Sequence, residues 1–162
     1  MPLYQGRPVS VFGTGMYMPE RVLTNYDLEK MVDTSDAWIK ERTGISERRI
    51  AAQDELTSDL ALKASIEALK DASISPEAID MVLVATNTPD SIFPGVAPKV
   101  QGMLNASRAG ACDIQSGCTS SVYALSMAAS GIASGIRDNV LVIGAEVLSR
   151  LVNWRDRNTC VL

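Results

Sequence analysis

Histidine is absent from the 162-residue chain. Its absence removes the most common general base and zinc ligand from this sequence. The three cysteines, Cys112, Cys118 and Cys160, are odd in number and lack the CxxC spacing of metal or redox motifs. We therefore expect no metal site, no bound cofactor and a reducing compartment, which indicates a cytoplasmic protein.

Clusters of basic residues are also missing. The net charge is −4, and no patch of Lys and Arg indicates nucleic-acid binding. The first residues lack the charged start and apolar core of a signal peptide. The uncharged run after Asp113 is rich in Ser, Gly and Thr, which argues against a membrane helix. With 46% hydrophobic residues, residues 1–162 are expected to form one domain.

Charged residues are missing between Asp113 and Arg137 as well. A segment without a charged face is expected to be surrounded by protein on all sides. Within it, residues 109–114 predict a short buried strand, and Ser116 and Gly117 predict a tight turn. Cys118 is then expected at the start of a buried helix.

The position of Cys118 has two interpretations. Most free cysteines are small core residues. A helix N-terminus, however, favours the thiolate over the thiol. The order of strand, glycine turn, nucleophile and helix also resembles the elbow that presents a nucleophile in α/β enzymes. This order favours a functional cysteine.

Strand and helix patterns alternate along the chain. Apolar runs predict strands at residues 9–14, 81–86 and 139–145, and residues 45–50 predict an exposed strand or loop. Helices are predicted at residues 25–30, 37–42, 59–72 and 96–104, with Thr57 or Ser58 as the cap of the third.

The alternation favours a mainly parallel α/β fold with right-handed crossovers. Gly13-Thr-Gly15 lacks the third glycine of a dinucleotide-binding loop, and Pro19 interrupts the helix that such a loop requires. Residues 159–162 are expected to begin another strand, so that the chain would end within the fold.

Several motifs together resemble β-ketoacyl-acyl-carrier-protein synthase III. They are Gly13-Thr-Gly15 with Pro19, Val32-Asp-Thr-Ser-Asp-Ala-Trp-Ile39, Arg42-Thr-Gly-Ile45, Glu47-Arg48, Phe93-Pro94, the Cys118 turn, Val122-Tyr-Ala-Leu125 and Asp156-Arg157-Asn-Thr159. They occur in the family's order and correspond to its N-terminal half. The resemblance implies a thiolase-like fold of layered helices and sheet, and a homodimer.

The resemblance also implies roles for single residues. Cys118 matches the nucleophile that takes an acyl group from coenzyme A, so acyl-CoA would be a substrate rather than a cofactor. Trp38 and Arg157 match the pair that sandwich the adenine of coenzyme A, and Thr34 and Arg42 would hold the nucleotide. The acylated cysteine would then be attacked by the carbanion that forms when malonyl-acyl carrier protein loses carbon dioxide.

Three further residues match the acyl pocket. Phe93 matches a residue that reaches across the dimer to close the partner's pocket, although a loop residue of this kind can also plug its own core. Leu148 matches part of the pocket lining. Ser121 stands where familiar members carry Phe, in Thr119-Ser-Ser121 instead of Ala-Gly-Phe. We hypothesise that the enzyme accepts primers longer or more polar than acetyl, which primer competition would test.

The resemblance places the His and Asn that assist condensation beyond Leu162. Two hypotheses of different class therefore stay open: a catalytic half that works with a C-terminal half from another chain or segment, and a non-catalytic module that binds acyl-CoA or supports a dimer. A related thiolase-fold synthase with a different acyl substrate is a further alternative. Arg48 and Arg49 are candidates for docking the acidic carrier protein.

Overall fold

The computed structural model describes residues 6–161. The strands are, in chain order, β1 (Arg21–Thr24), β2 (Glu47–Ile50), β3 (Met81–Ala85), β4 (Gly110–Ile114) and β5 (Val140–Gly144). The α-helices are α1 (Asn25–Glu29), α2 (Asp36–Thr43), α3 (Thr57–Ala72), α4 (Val96–Met103) and α5 (Ser120–Ala133). Short 3-10 helices occur at Pro76–Ala78 and Leu148–Arg150.

These elements divide into two compact units. The sheet unit contains the described residues up to Tyr17 together with Leu56–Glu146, and therefore β3, β4, β5, α3, α4 and α5. The ribbon unit contains Met18–Glu55 and the described residues from Val147 onward, and therefore β1, β2, α1 and α2.

The sheet unit is built on three parallel strands in the order β4-β3-β5. Side chains alternate between the two faces of a strand. Val82 and Val84 accordingly join the cluster formed with α3 and α4, while Leu83 and Ala85 join the cluster formed with Ala124 of α5. The central strand is thus covered on both faces, as its continuous apolar run predicts.

Helix α3 begins earlier than its sequence indicates. Its N-cap is Leu56, whose N–H donates to the Asp59 carboxylate at 2.9 Å. Thr57 and Ser58, the predicted caps, lie inside the first turn and are buried. The Thr57 hydroxyl donates to the carbonyl of Thr88, and the Ser58 N–H donates to Asp90 at 3.1 Å. The prediction that either residue caps the helix is therefore wrong, because both bond to the loop after β3.

Residues 9–14 do not form the predicted strand. Gly13 and Gly15 instead cross α3 at Ala64, Ala68 and Ala72. A Cβ on Gly13 would lie 2.5 Å from the Ala72 nitrogen, which is closer than any real contact. The paired glycines thus allow the backbone to approach a stripe of alanines on the helix.

Helix α5 differs from the expectation that the uncharged segment is surrounded by protein on all sides. One side of it packs on the sheet through Ala124 and Ala128, and Ser120, four residues earlier, is also buried. Val122 is 63% exposed, and Leu125 is 54% exposed. The uncharged helix is therefore not enclosed within the chain, because the three-stranded sheet covers only one of its faces.

The ribbon unit pairs β1 antiparallel with β2. Its core contains Leu23, Leu28, Ile39 and Cys160. Both of its α-helices begin at a side-chain cap. Thr24 forms a capping box with Asp27 in α1, and Ser35 accepts from the Trp38 N–H at 3.1 Å in α2, which Gly44 ends with a φ of 73°.

The end of the ribbon unit differs from its prediction. Residues 159–161 form turns instead of the start of a strand. Leu162 and residues 1–5 lie outside the described residues. Among residues 6–161, no helix combines the length and apolar character that a membrane crossing requires.

Candidate functional site

Cys118 lies at the carboxyl edge of the parallel sheet. The turn that carries it follows β4, and the side chain is exposed. The helix begins at Ser120 rather than at Cys118, with Thr119 as its N-cap. The predicted order of strand, turn, cysteine and helix is present, but the thiol precedes the helix by two residues and is not buried.

Short hydrogen bonds close this turn. Ser120 Oγ accepts from the Ser116 N–H at 2.7 Å and donates to the Gly117 carbonyl at 2.8 Å. Thr119 Oγ1 donates to the Ser116 carbonyl at 2.8 Å. Gly117 has a φ of 62°, in the left-handed region that glycine adopts without a steric cost. The glycine therefore allows the chain to reverse just before Cys118.

Two residues that belong to none of the sequence motifs lie beside the turn. Asn87 follows β3, and its Oδ1 accepts from the Gly117 N–H at 3.0 Å. Glu146 follows β5 and accepts from Asn87 Nδ2 at 2.8 Å. The signal that could have identified them is their position, because polar residues directly after parallel strands converge at one edge of the sheet.

Ser121 lies in the first turn of α5. A Cβ built on Gly144 would lie 3.9 Å from Ser121 Cβ, so this serine faces the end of β5. Its role in an acyl pocket stays a prediction.

Phe93 lies in the loop after β3 and is 90% exposed. The alternative in which it plugs the core of its own chain is therefore wrong. Asp90 anchors the loop through the Ser58 N–H and through Lys99 Nζ at 3.2 Å. Burial acts to raise the pKa of Asp90, but the hydrogen bonds from Ser58 and the contact with Lys99 hold it below its ordinary value. The loop thus has a buried ionic anchor and an exposed aromatic tip.

A second group of predicted site residues lies within the ribbon unit. The guanidinium carbons of Arg42 and Arg157 lie 4.2 Å and 4.4 Å from the centroid of the Trp38 ring. Arg42 reaches the ring from one helical turn further along α2, whereas Arg157 comes from the distant end of the chain. The structure therefore brings together three of the four residues predicted to bind coenzyme A.

The fourth residue, Thr34, precedes the cap of α2. Its Oγ1 is buried and has no hydrogen-bond partner among the described residues. A buried hydroxyl without a partner is costly unless another group satisfies it. Its role in binding coenzyme A stays a prediction.

The remaining ribbon-unit predictions have different outcomes. Leu148 begins a 3-10 helix and is 51% exposed, and its role in a pocket stays a prediction.

Arg48 is buried and donates to Asn25 Oδ1 and to the Val161 carbonyl, so its selection as a docking residue is wrong. Burial also lowers the pKa of Arg48 below its ordinary value. Arg49 is more exposed, and its role in docking stays a prediction.

The family model described as 3-Oxoacyl-[acyl-carrier-protein (ACP)] synthase III matches residues 112–162. The chain is 57% identical over 152 residues to the beta-ketoacyl-[acyl-carrier-protein] synthase III of Caldanaerobacter subterraneus, which covers 94% of this chain and 46% of that relative. It is 55% identical over 156 residues to the enzyme of the same name from Symbiobacterium thermophilum, with 96% and 47% covered.

Solved structures agree with these relatives. The 3-oxoacyl-[acyl-carrier-protein] synthase III of Aquifex aeolicus superposes with a TM-score of 0.90 at 54% identity, covering 93% of this chain and 49% of that one. The priming beta-ketosynthase of the R1128 polyketide pathway gives a TM-score of 0.93 at 33% identity, covering 100% and 48%. The chain thus spans about half the length of the relatives it matches. The predicted resemblance and the thiolase-like α/β fold are confirmed.

Proposed function

We propose that this chain is the N-terminal half of a β-ketoacyl-[acyl-carrier-protein] synthase III, and that Cys118 carries the acyl group in its reaction. The observation that carries the proposal is the exposed thiol of Cys118, on a hydrogen-bonded turn at the carboxyl edge of the sheet. Ligands of parallel α/β sheets bind at this edge. The similarity to enzymes of that name, at 51–57% identity over nearly the whole chain, supports the same assignment.

The first step in this proposal is acyl transfer from acyl-CoA. The Cys118 thiolate attacks the thioester carbonyl, a bond forms between Sγ and the acyl carbon, and the bond from that carbon to the sulfur of coenzyme A breaks. Coenzyme A leaves as a thiol after taking up the proton that Cys118 released. Covalent catalysis of this kind divides a condensation into two easier steps.

In the same proposal, coenzyme A is bound by Trp38, Arg42, Arg157 and Thr34. An aromatic face and a guanidinium plane are suited to hold a flat base, and Arg also binds phosphate. Arg157 now lies 4.4 Å from the Trp38 ring. A base stacked between them requires about 7 Å, because each stacked contact takes about 3.5 Å. Arg157 therefore moves away from the ring when the base enters.

The second step is the condensation with malonyl-acyl carrier protein. Loss of carbon dioxide leaves a carbanion on the malonyl group, which attacks the acyl carbon and displaces Cys118 Sγ as a thiolate. We propose that a His and an Asn beyond Leu162 assist this step, as the resemblance implies, since this sequence contains no His. We also propose that the protein acts as a cytoplasmic homodimer in which the exposed Phe93 closes the partner's acyl pocket.

Ser121 bears on the choice of primer. A serine leaves more room near the acyl group than the phenylalanine of familiar members. We therefore propose that this enzyme uses primers longer or more polar than acetyl. Competition between acyl-CoA thioesters tests this proposal, and a clear preference for acetyl-CoA over every longer or branched primer would contradict it.

The experiment that tests the function is a turnover assay on the intact protein with acyl-CoA and malonyl-acyl carrier protein. We expect carbon dioxide and 3-oxoacyl-acyl carrier protein to form. Cys118→Ser should abolish product, and Cys112→Ser, which changes another exposed thiol six residues earlier in β4, should retain it. Tight acyl-CoA binding without acylation of Cys118 would instead indicate a non-catalytic module.

A further inference from the structure

We propose that Asn87 is a positioning residue for Cys118, and that Glu146 fixes its side-chain amide. This inference rests on the proposed function of Cys118. The three residues follow the ends of the three neighbouring strands: Cys118 after β4, Asn87 after the central strand β3 and Glu146 after β5. Asn87 therefore lies between the nucleophile turn and the carboxylate.

On one side, Asn87 contacts both polar groups of the Gly117 backbone. Its Oδ1 accepts from the Gly117 N–H at 3.0 Å, and its Nδ2 donates to the Gly117 carbonyl at 3.2 Å. That carbonyl belongs to the peptide bond that joins Gly117 to Cys118. Glycine restricts its own backbone less than any other residue. A side chain that holds both of its polar groups thus restricts the position from which Cys118 projects.

On the other side, Glu146 fixes the orientation of Asn87. Glu146 Oε1 accepts from the Asn87 backbone N–H at 2.7 Å and from Asn87 Nδ2 at 2.8 Å, and Oε2 accepts from Thr88 Oγ1 at 2.7 Å. An ionised carboxylate only accepts hydrogen bonds, so the amide nitrogen must face it. The amide oxygen then faces the Gly117 N–H. The alternative, flipped amide would place an oxygen against the carboxylate.

This arrangement has a consequence for acyl transfer. The attack requires the sulfur at a defined place relative to the bound thioester, and a displacement of about 1 Å can reduce such a rate by about 100-fold. Alkylation by a small reagent in solution makes no comparable demand on geometry. Loss of a positioning contact should therefore slow acyl transfer to Cys118 much more than it slows alkylation of the same thiol.

The test compares these two rates in the intact protein. Acylation of Cys118 by acyl-CoA and its alkylation by iodoacetamide are followed by peptide mass spectrometry, with the exposed thiol of Cys112 as an internal reference. In Asn87→Ala we expect acylation to fall by about 10- to 100-fold and alkylation to change by less than about threefold. The matched control is Asn139→Ala. Asn139 lies just before β5, and its side chain donates to the Ala78 carbonyl, so its loss should change neither rate.

A second pair of variants keeps the test informative if Asn87→Ala does not fold. Glu146→Ala removes both acceptors, and we expect acylation to fall by about tenfold or more. In Glu146→Gln the remaining oxygen can accept both bonds from Asn87, and its amide can donate to the Thr88 hydroxyl, so most of the acylation rate should be restored.

The outcomes separate the two proposals. Equal acylation in the wild-type protein, Asn87→Ala and Glu146→Ala would overturn the positioning role and leave the function of Cys118 intact. A parallel fall of acylation and alkylation would also overturn it. Absence of acylation in the wild-type protein would overturn the proposed function, and the positioning role with it.

Discussion

Substitution of Gly13 by Ala should destabilise the sheet unit, although the same exchange is often harmless elsewhere. A Cβ at this position would lie 2.5 Å from the Ala72 nitrogen, 2.6 Å from the Ala68 carbonyl oxygen and 2.7 Å from Ala72 Cβ. Ordinary contacts between heavy atoms lie at about 3.5 Å, so the crossing segment and α3 would have to separate by about 1 Å. Two of the three contacted atoms belong to the helix backbone and cannot rotate away.

The magnitude follows from two opposing effects. Overpacking of a close contact costs about 1–3 kcal/mol. Replacement of Gly by Ala also restricts the unfolded chain and returns about 0.4–1 kcal/mol. Three contacts below 3 Å place Gly13 in the upper part of the overpacking range, at about 2–3 kcal/mol, so we expect Gly13→Ala to lower the free energy of unfolding by about 1–2.5 kcal/mol.

Gly102 provides the matched control. It lies inside α4, and a Cβ there would meet no atom within 4 Å. Gly102→Ala should raise the free energy of unfolding by about 0.5–1 kcal/mol, because alanine favours the helix. Urea unfolding of the intact protein, followed by circular dichroism, measures both changes. A Gly13→Ala variant as stable as the wild type would refute the close-packing explanation of this motif.

Two other predictions concern binding and acid stability. Trp38→Ala removes the ring that Arg42 and Arg157 contact, and coenzyme A affinity measured by titration calorimetry should fall about tenfold. A stacking contact is worth about 0.5–1.5 kcal/mol, and a cation–π contact is worth a similar amount. Trp154 packs against the core of the ribbon unit, and Trp154→Phe, the control, should leave the affinity unchanged. Hydrogen bonds from the Asn139 and Asp138 N–H groups hold the pKa of Asp80 below its ordinary 3.8, so its stabilisation is present above pH 3.8 and is lost as the pH falls through the lower, folded value. Asp80→Asn keeps an oxygen that can accept both bonds but loses the charge, and should therefore cost about 1 kcal/mol at pH 7. The cost should become progressively less at pH 3 and below, and a cost that stays constant in urea titrations over this range would contradict the assignment.

Local signals in the sequence were sufficient for many elements. Ser35 and Gly44 mark both ends of α2 because a side-chain cap and a left-handed glycine act on their immediate neighbours. The apolar run of β3 indicates a doubly covered strand because it requires only that both faces be dry. The strand, turn and helix around Cys118 were predictable because their signals also lie in neighbouring residues.

Contacts between distant residues were harder to predict than the elements that carry them. The burial of Arg48 depends on Asn25 and on the carbonyl of Val161, which are remote in sequence. The apolar residues 9–14 resemble a strand, but their glycines pack against α3. The uncharged residues of α5 indicate low polarity without indicating how many faces this chain covers. Asn87 and Glu146 become neighbours only when β3 and β5 pair.

The most direct test of the account is to locate the acyl group after the intact protein is incubated with an isotopically labelled acyl-CoA. Peptide mass spectrometry should find the label on Cys118 alone, as a thioester that hydroxylamine removes. The Cys118→Ser variant should remain unlabelled, and the Cys112→Ser variant should be labelled as fully as the wild type. Label on Cys112 or Cys160, or a fully folded protein without label, would contradict the assignment of Cys118 as the acyl-carrying nucleophile.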